Sequence, residues 1–237
     1  MKRTTLSVSM ILLVTVVGTA TAADAKKDKK ADDEKGFVSM FNGKDLTGWE
    51  GLPGGWWVED GMITGQSTKE KPCPRAHYLM WRGGKPADFE LRLSYRLVGG
   101  NSGIQIRSRE LANWDTSGYQ ADMEDGQQWS GCLFEHTRGG VAMRGTSVVY
   151  EEDGTKHIKE IADPAKLLKK VKNGEWNEYR IVAKGSKIKL IINGVLMTEV
   201  DDRDKKNAAK SGVIALQMHP GPPMKVQFKD LRIKVFK

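Results

Sequence analysis

Two stretches of alternating polar and apolar residues carry the side chains best suited to chemistry in this sequence. They are residues 102–109 and 119–124. Because the side chains of a β-strand point alternately to its two faces, each stretch predicts a strand with one apolar face and one polar face. Such strands present amides, a guanidinium and carboxylates from a rigid sheet, as a site for a sugar or another polar ligand requires. The solvated outer face of an antiparallel sheet would show the same pattern. The polar faces carry Gln105, Arg107, Gln120, Asp122 and Glu124.

Further candidate side chains lie in neighbouring strand-like segments. Residues 129–136 place Glu135 on one face and His136 on the other, while residues 213–219 place Gln217 and His219 on the same side. His136 shares its face with Cys132 and Phe134, which is more typical of a structural histidine. Two further positions complete the predicted substrate contacts: Asn101 and Trp129.

The elements that must position these residues are short strands separated by glycine-rich turns. Residues 89–98 alternate cleanly, and the Asp60-Gly61 and Asn193-Gly194 pairs predict tight hairpins. Asp163 before Pro164 predicts the N-terminus of one short helix. This pattern predicts an all-β fold, a two-sheet sandwich or jelly roll with one short helix, as a single domain over residues 37–237.

The N-terminal residues have a different character. Residues 1–22 combine a basic start, an apolar stretch and an Ala20-Thr21-Ala22 cleavage motif, which predicts a secretory signal peptide. Residues 23–36 are charged and lack apolar periodicity, which predicts a disordered linker. We therefore expect an exported protein, periplasmic or extracellular, without a membrane span after signal cleavage.

Charge and cysteine content narrow the function classes. Removing Lys2 and Arg3 with the signal lowers the formal charge from +8 to +6, and no basic stripe of the kind that binds nucleic acid is present. The two cysteines, Cys73 and Cys132, are free to pair but do not form a disulfide framework or a zinc-ligand spacing. Three tryptophans, Trp49, Trp56 and Trp57, indicate either core packing or a sugar platform.

Five blocks of sequence together resemble one family. FNGKDLTGW, FELRLSYRLVGGNSGIQIRS, GYQADM, GEWNEYRIVAKGSKIKLIINGV and GVIALQMHPGPPMKVQFKDLRIK are similar to segments of the 3-keto-disaccharide hydrolase family, and the resemblance covers residues 36–237. The resemblance implies a concanavalin A-like jelly roll, whose concave sheet grips carbohydrate, and a substrate oxidised at C3 of the sugar.

The resemblance also suggests a mechanism and roles for the candidates. A ketone at C3 acidifies the proton on C2, so a base can form an enolate that expels the C1 substituent, and water then adds to the enone. We expect Glu135 or His219 to act as the base and Arg107 to stabilise the enolate. Asp122 and Glu124 would orient the sugar or hold a divalent cation, calcium or manganese, with His219.

Two alternatives remain open from the sequence. The Gln120-x-Asp122-x-Glu124 pattern is similar to the catalytic strand of retaining glucanases, which cleave glycosides directly with two carboxylates, but its first position is Gln and cannot be a nucleophile. The other alternative is a non-catalytic carbohydrate-binding module, because a jelly roll does not by itself separate an enzyme from a binder.

Overall fold

The computed structural model describes residues 34–237, so the predicted signal peptide and nearly all of the predicted linker lie outside the described residues. In this part of the chain the backbone forms seventeen strands, one α-helix and one 3-10 helix. The first strands are β1 (Val38–Ser39), β2 (Trp49–Glu50), β3 (Trp57–Glu59), β4 (Met62–Ser67), β5 (His77–Trp81), β6 (Phe89–Val98), β7 (Asn101–Glu110), β8 (Thr116–Glu124) and β9 (Leu133–Glu135). They are followed by β10 (Gly139–Ala142), β11 (Thr146–Tyr150), β12 (Lys156–Glu160), β13 (Asn177–Lys184), β14 (Lys187–Ile192), β15 (Val195–Asp202), β16 (Val213–Met218) and β17 (Met224–Val235). The helices are the 3-10 helix Ala112–Trp114 and α1 (Pro164–Leu168).

The strands form two sheets that pack face to face. Within residues 34–237, sheet A has ten strands in the order β12-β11-β15-β14-β13-β6-β17-β4-β3, and β1 also pairs with β17. Sheet B has seven strands in the order β10-β9-β8-β7-β16-β5-β2. Neighbouring strands are antiparallel apart from the parallel pair β11 and β15. The predicted two-sheet jelly roll with one short α-helix is confirmed.

The core lies between the sheets and follows the predicted alternation. The apolar face of β6, from Phe89 to Leu97, is buried against the apolar faces of β7 and β8. Burial of each large apolar side chain contributes roughly 1.5–3 kcal/mol. Because Ile104 and Ala121 point inward, Gln105 and Gln120 beside them point to the outer face of sheet B.

The predicted turns and helix start are also confirmed. Asn193 and Gly194 both adopt positive φ angles, of 50° and 78°, as the tight hairpin between β14 and β15 requires. Asp163 caps α1 by accepting hydrogen bonds from the backbone N–H groups of Ala165 and Lys166, at 2.8 and 3.2 Å.

One strand departs from regular alternation at a predicted catalytic residue. The pairing of β7 with β8 shifts register between Ile106 and Arg109, and Arg107 adopts a φ of 48°. This bulge turns the Arg107 side chain away from the outer face of sheet B and toward the space between the sheets.

Two further observations concern membranes and thiols. Among the described residues, no helix is long and apolar enough to cross a membrane. Cys73 and Cys132 are separate buried thiols, whose sulfur atoms lie 3.0 Å from the Arg75 carbonyl oxygen and 3.3 Å from the Gln128 carbonyl oxygen.

Candidate functional site

A cavity of about 350 Å³ lies on the outer face of sheet B, which we call the polar pocket. Strands β5, β7, β8, β9 and β16 and the loop between β8 and β9 supply most of its walls. It is lined by Ala76, Tyr78, Asn101, Gln120, Asp122, Trp129, Phe134, His136, Gln217, His219 and Pro220. It thus joins six of the ten predicted site residues: Asn101, Gln120, Asp122, Trp129, Gln217 and His219.

Strand register explains why residues distant in sequence meet here. Gln120 of β8 is paired with Gln105 of β7 on one side and with Phe134 of β9 on the other. Gln217 of β16 is paired with Tyr78 of β5. Because paired residues on neighbouring strands share a face, the side chains of these five residues all lie on the outer face.

The floor of the pocket is a hydrogen-bonded chain of buried amides. Gln105 donates from Nε2 to Oε1 of Gln120 at 2.8 Å, and Gln120 donates from Nε2 to Oδ1 of Asp122 at 2.7 Å and to Oε1 of Gln217 at 3.1 Å. Gln217 in turn donates to the Tyr78 hydroxyl at 2.9 Å. Such a connected network fixes the side chains in one arrangement. Gln105, fully buried, supports this floor from beneath rather than lining the pocket.

Close approach of Gln120 to the neighbouring strand depends on a glycine. Gly103 of β7 is paired with Asp122, and a Cβ atom at Gly103 would lie 2.5 Å from the Gln120 side chain. Real Cβ contacts do not come so close, so any other residue at position 103 would displace Gln120 and the carboxylate that it holds.

Asp122 is a buried carboxyl with unusual acidity. Burial raises its pKa to about 8, the nearby Glu124 charge acts in the same direction, and the hydrogen bond from Gln120 opposes the rise. At neutral pH the side chain is therefore mostly the neutral acid. Gln120 occupies Oδ1, which leaves Oδ2 to carry the proton and to donate a hydrogen bond to a ligand.

Two histidines of the pocket have their tautomers set by backbone carbonyl groups. Nδ1 of His219 lies 2.5 Å from the Pro220 carbonyl oxygen, and Nδ1 of His136 lies 3.3 Å from the Gly118 carbonyl oxygen. A carbonyl oxygen only accepts, so each Nδ1 carries the proton and each Nε2 is the basic nitrogen of the neutral ring. Nε2 of His136 lies 3.4 Å from the Tyr78 hydroxyl.

Aromatic rings form one wall of the pocket. Trp129 packs edge-on against Phe134, and Phe134 packs edge-on against His136, with 5.8 Å between ring centroids in each pair. Trp129 and Phe134 are half-buried, so their exposed faces are available for an apolar sugar face.

Glu124 does not point its carboxylate into the pocket. Its Oε2 accepts hydrogen bonds from the backbone N–H groups of Gln128 and Trp129, both at 3.0 Å. The prediction that Glu124 contacts the sugar is corrected: the strand ends here, and the carboxylate instead holds the loop that carries Trp129.

Glu135 and Arg107 lie away from the pocket as well. Glu135 is paired with Tyr119 and so faces the inner side of sheet B, where it accepts hydrogen bonds from Thr137 and Arg138. The prediction that Glu135 and Arg107 lie on the polar face of sheet B is thus wrong. Glu135 alternates with Phe134 and His136 and so points to the opposite face, and the bulge turns Arg107 away.

Arg107 instead ties segments of the molecule together. It donates to the carbonyl oxygens of Ala87 at 2.7 Å and Gly185 at 2.8 Å, and to the Asp88 carboxylate at 3.0 Å. All three of its nitrogen atoms are thereby engaged by protein groups.

The three side chains predicted to hold a divalent cation, those of Asp122, Glu124 and His219, do not form one group of ligands. Oε2 of Glu124 accepts from two backbone N–H groups, and Gln120 donates to Oδ1 of Asp122. Within residues 34–237, no group of three or more His, Cys, Asp or Glu side chains is arranged to hold a metal ion.

Five residues that line the pocket were not predicted from the sequence, and three of them carry aromatic or titratable side chains: Tyr78, Phe134 and His136. Phe134 and His136 do alternate with Glu135, so their shared face was visible in the sequence. The pairing of β9 with β8, which places that face outward, was not.

Comparison with known proteins agrees with this architecture. The sequence profile of the 3-keto-alpha-glucoside-1,2-lyase-like domain matches residues 36–234. A 3-keto-disaccharide hydrolase from Bacteroides thetaiotaomicron is 32% identical over 94 residues, which are 36% of this chain and 32% of that protein. The chain thus spans about a third of the length of this curated relative.

Solved structures with the same fold include two proteins from bacteria. A proposed glycosyl hydrolase from Parabacteroides distasonis ATCC 8503 is 22% identical, with a TM-score of 0.56 over 84% of this chain and 99% of that chain. A protein of unknown function with a galectin-like fold, from Bacillus subtilis, is 10% identical, with a TM-score of 0.52 over 80% of this chain and 90% of that chain. Since the family profile covers nearly all of residues 34–237, the chain belongs to the 3-keto-alpha-glucoside-1,2-lyase-like domain family.

Proposed function

We propose that the polar pocket cleaves the glycosidic bond of sugars oxidised at C3, by elimination followed by addition of water. The observation that carries this proposal is the pairing of a basic histidine nitrogen, Nε2 of His219, with a neutral buried carboxyl, Asp122, in one pocket. This pair suits proton abstraction beside a carbonyl group, because the reaction needs a base and a donor for the developing oxyanion.

The reaction begins at C2 of the 3-keto sugar. Nε2 of His219 takes the C2 proton, and the electron pair of the broken C–H bond moves onto the C3 oxygen. In this proposal the Oδ2 proton of Asp122 donates a hydrogen bond to that oxygen, and the amide of Asn101, which lines the same pocket, donates a second. Donors aimed at a developing oxyanion are commonly the largest contribution to catalysis.

Bond cleavage follows from the enolate. The carbonyl at C3 re-forms, a double bond forms between C1 and C2, and the C1–O bond breaks. The protonated His219 supplies the proton that the departing oxygen needs. Water then adds across C1 and C2 and restores the 3-keto sugar, so the net reaction is hydrolysis. The family description names a 1,2-lyase, and this elimination takes place across C1 and C2.

The first experiment compares oxidised and unoxidised substrates. The purified protein is incubated with 3-keto-trehalose, 3-keto-lactose and their unoxidised parents in D₂O. We expect monosaccharide release from the keto sugars only, with deuterium at C2 of the product, because the proton at C2 is lost and replaced. Chelator should not change the rate, since no step uses a metal ion.

Variants and alternative outcomes complete the test. His219→Gln should lower kcat by about 10²- to 10⁴-fold, the usual contribution of a general base. Cleavage of unoxidised sugar without deuterium at C2 would indicate direct hydrolysis by carboxylates instead. Saturable sugar binding without turnover of any substrate would favour a carbohydrate-binding module.

We further propose that the protein is exported. The signal-like composition of residues 1–22 supports this, and cleavage after Ala22 would leave Ala23 as the N-terminus. Mass spectrometry of the protein from its native host should find the chain starting at Ala23, and a chain that retains Met1 in the cytoplasm would contradict export.

A further inference from the structure

A second polar cavity lies at one edge of the sandwich, on the opposite side of β5 from the polar pocket. It measures about 440 Å³, and we call it the edge cavity. Its walls come from β3 and β4 of sheet A, from β5 and β16 of sheet B, and from the turn between β4 and β5. His77 lines the edge cavity while Ala76 lines the polar pocket, because neighbouring residues at the start of a strand point to opposite faces.

The Lys and Arg side chains that line the edge cavity give it a positive charge. Lys71 and Arg75 both line it, and within the described chain no Asp or Glu side chain does. Glu70, in the same turn, forms hydrogen bonds with its own backbone and with Thr68, and it lies outside the lining. The polar pocket, by contrast, contains the carboxyl group of Asp122.

The Arg75 guanidinium uses one of its nitrogen atoms to bind the protein. It donates from Nη1 to the carbonyl oxygen of Asn113 at 2.8 Å, which anchors the side chain against the 3-10 helix. Its remaining N–H groups make no other hydrogen bond within residues 34–237. A guanidinium held at one nitrogen in this way presents its other donors to an anionic group.

The remaining lining suits the ring of a sugar. Trp57, which is 37% exposed, offers an aromatic face, and the amide group of Gln66 belongs to the same lining. Thr68 also lines the cavity, and its hydroxyl already accepts a hydrogen bond from the backbone N–H of Lys71 at 3.0 Å. Tryptophan combines a large apolar face with a polar N–H group, as sugar platforms require.

One ring nitrogen of a buried histidine in the cavity wall has no hydrogen-bond partner among the described residues. His77 is only 6% exposed, and its Nδ1 has no hydrogen-bond partner among the described residues. Gly55 lies close to its ring, because a Cβ atom at Gly55 would come within 2.8 Å of Cε1. Buried polar atoms are normally satisfied, so this atom is an unused polar group in the wall of the cavity.

We propose that the edge cavity binds a pyranose that carries an anionic group, with Lys71 and Arg75 on the anion and Trp57 against the sugar ring. The anionic group can be the carboxylate of a uronic acid or the sulfate of a sulfated sugar, since both present oxygen atoms to the same donors. Binding here does not require turnover in the polar pocket.

Calorimetric titration of the full chain tests this proposal. The ligands are methyl β-glucuronide, glucose 6-sulfate, the neutral methyl β-glucoside and inorganic sulfate. We expect at least one of the two anionic sugars to bind at least tenfold more tightly than the neutral sugar and than inorganic sulfate. The better of the two identifies the anionic group.

Matched variants locate the site. The double variant K71Q/R75Q and the single variant Trp57→Ala should each weaken binding tenfold or more. Lys69→Gln, which removes an exposed lysine of the same turn outside the lining, should leave binding unchanged, as should His219→Gln in the polar pocket.

Several outcomes would overturn the proposal. If the neutral sugar bound as tightly as the anionic sugars, the cavity would not recognise the anionic group. If inorganic sulfate bound as tightly as the anionic sugars, the cavity would not recognise the sugar ring. Loss of binding in His219→Gln but not in Trp57→Ala would place the ligand in the polar pocket. Because His219→Gln separates the two cavities, failure of this proposal is distinguishable from failure of the proposed reaction.

Discussion

Asp122 is the residue whose chemistry departs furthest from its ordinary behaviour in the polar pocket. Burial raises its pKa to about 8, so at neutral pH the side chain is mostly the neutral acid. If the neutral acid donates a hydrogen bond to the enolate, activity on a 3-keto substrate should fall as pH rises through about 8. We expect Asp122→Ala to lose about 10²- to 10³-fold in kcat, the usual effect of removing one oxyanion donor.

The amide variant serves as the control for this prediction. Asp122→Asn keeps an N–H donor that does not ionise near pH 8, so it should lose less activity than Asp122→Ala and lose the decline above pH 8. A pH–rate profile of both variants measures this. Activity that rises through pH 8 in the wild type, with Asp122→Asn as inactive as Asp122→Ala, would mean that Asp122 acts as a base instead.

The same carboxyl should make stability depend on pH. Its pKa is raised from 3.8 in the unfolded chain to about 8 in the folded protein, so the folded state holds its proton more tightly. Its favourable contribution to the free energy of unfolding is complete below about pH 4 and is lost progressively as pH rises to about 8. Thermal melts should therefore show Asp122→Asn gaining stability relative to the wild type between pH 5 and pH 8. A constant difference across this range would contradict the burial of a neutral carboxyl.

At the scale of elements, the loop between β8 and β9 depends on Glu124. Its carboxylate holds the backbone N–H groups of Gln128 and Trp129, and Trp129 forms the aromatic wall. Glu124→Ala should release this loop and raise KM about tenfold, with a smaller change in kcat. Steady-state kinetics on a 3-keto disaccharide measures the two effects separately.

A conservative variant distinguishes positioning from direct contact. Glu124→Gln keeps an oxygen that accepts from the same N–H groups, so its KM should stay near that of the wild type. If Glu124→Gln raised KM as much as Glu124→Ala, the negative charge of Glu124 would be needed in addition to its hydrogen-bond acceptor.

The bulge in β7 positions the Arg107 side chain for contacts within the protein. Arg107 joins the segment before β6 to the turn between β13 and β14, and its side chain is almost fully buried. Removing one partner from such a buried polar cluster leaves carbonyl oxygens unsatisfied. Arg107→Met should lower the free energy of unfolding by about 2–4 kcal/mol in urea titrations. The neighbouring exposed Arg109 provides the control, since Arg109→Met should change stability by less than about 0.5 kcal/mol.

The same elements show which parts of the candidate site could be predicted from the sequence. Alternation of residue types predicted that Gln120 and Asp122 share a face, because period two follows directly from strand geometry. The directions of the Arg107 and Glu135 side chains could not be predicted in the same way. A bulge shifts every later side chain of its strand by one face, and the pairing of β9 with β8 is set by contacts between distant segments. The positions of His136 and Tyr78 in the pocket became visible only once strand register placed them near Gln120.

At the scale of the whole molecule, the two sheets are joined by a buried polar cluster as well as by the apolar core. Asp202 of β15 in sheet A accepts hydrogen bonds from the Tyr119 hydroxyl of β8 in sheet B, at 2.5 Å, and from Arg138, at 2.7 Å. Arg138 also lies over the Tyr150 ring of sheet A, 4.9 Å from its centroid. Glu135, in the same turn, accepts hydrogen bonds from the backbone N–H and from Nε of Arg138. The residue that we expected to act as a base therefore helps to hold the two sheets together.

This arrangement predicts a large effect from one small substitution. Asp202→Ala would leave the Arg138 guanidinium buried without its main partner, since Asp204 lies farther away, with 3.8 Å between its Oδ2 and Nη1 of Arg138. Breaking a buried pair by removing one partner costs about 3–5 kcal/mol where the remaining charge is uncompensated. Here Glu135, 3.4 Å from Nε of Arg138, still compensates part of the charge, so we expect a loss of about 3 kcal/mol. Urea titration should therefore show a large loss of unfolding free energy. The exposed pair of Lys205 and Glu152 is the matched control, and Glu152→Ala should cost less than about 1 kcal/mol. Equal losses in the two variants would show that the buried cluster adds nothing beyond an ordinary surface pair, and that the apolar core alone holds the sheets together.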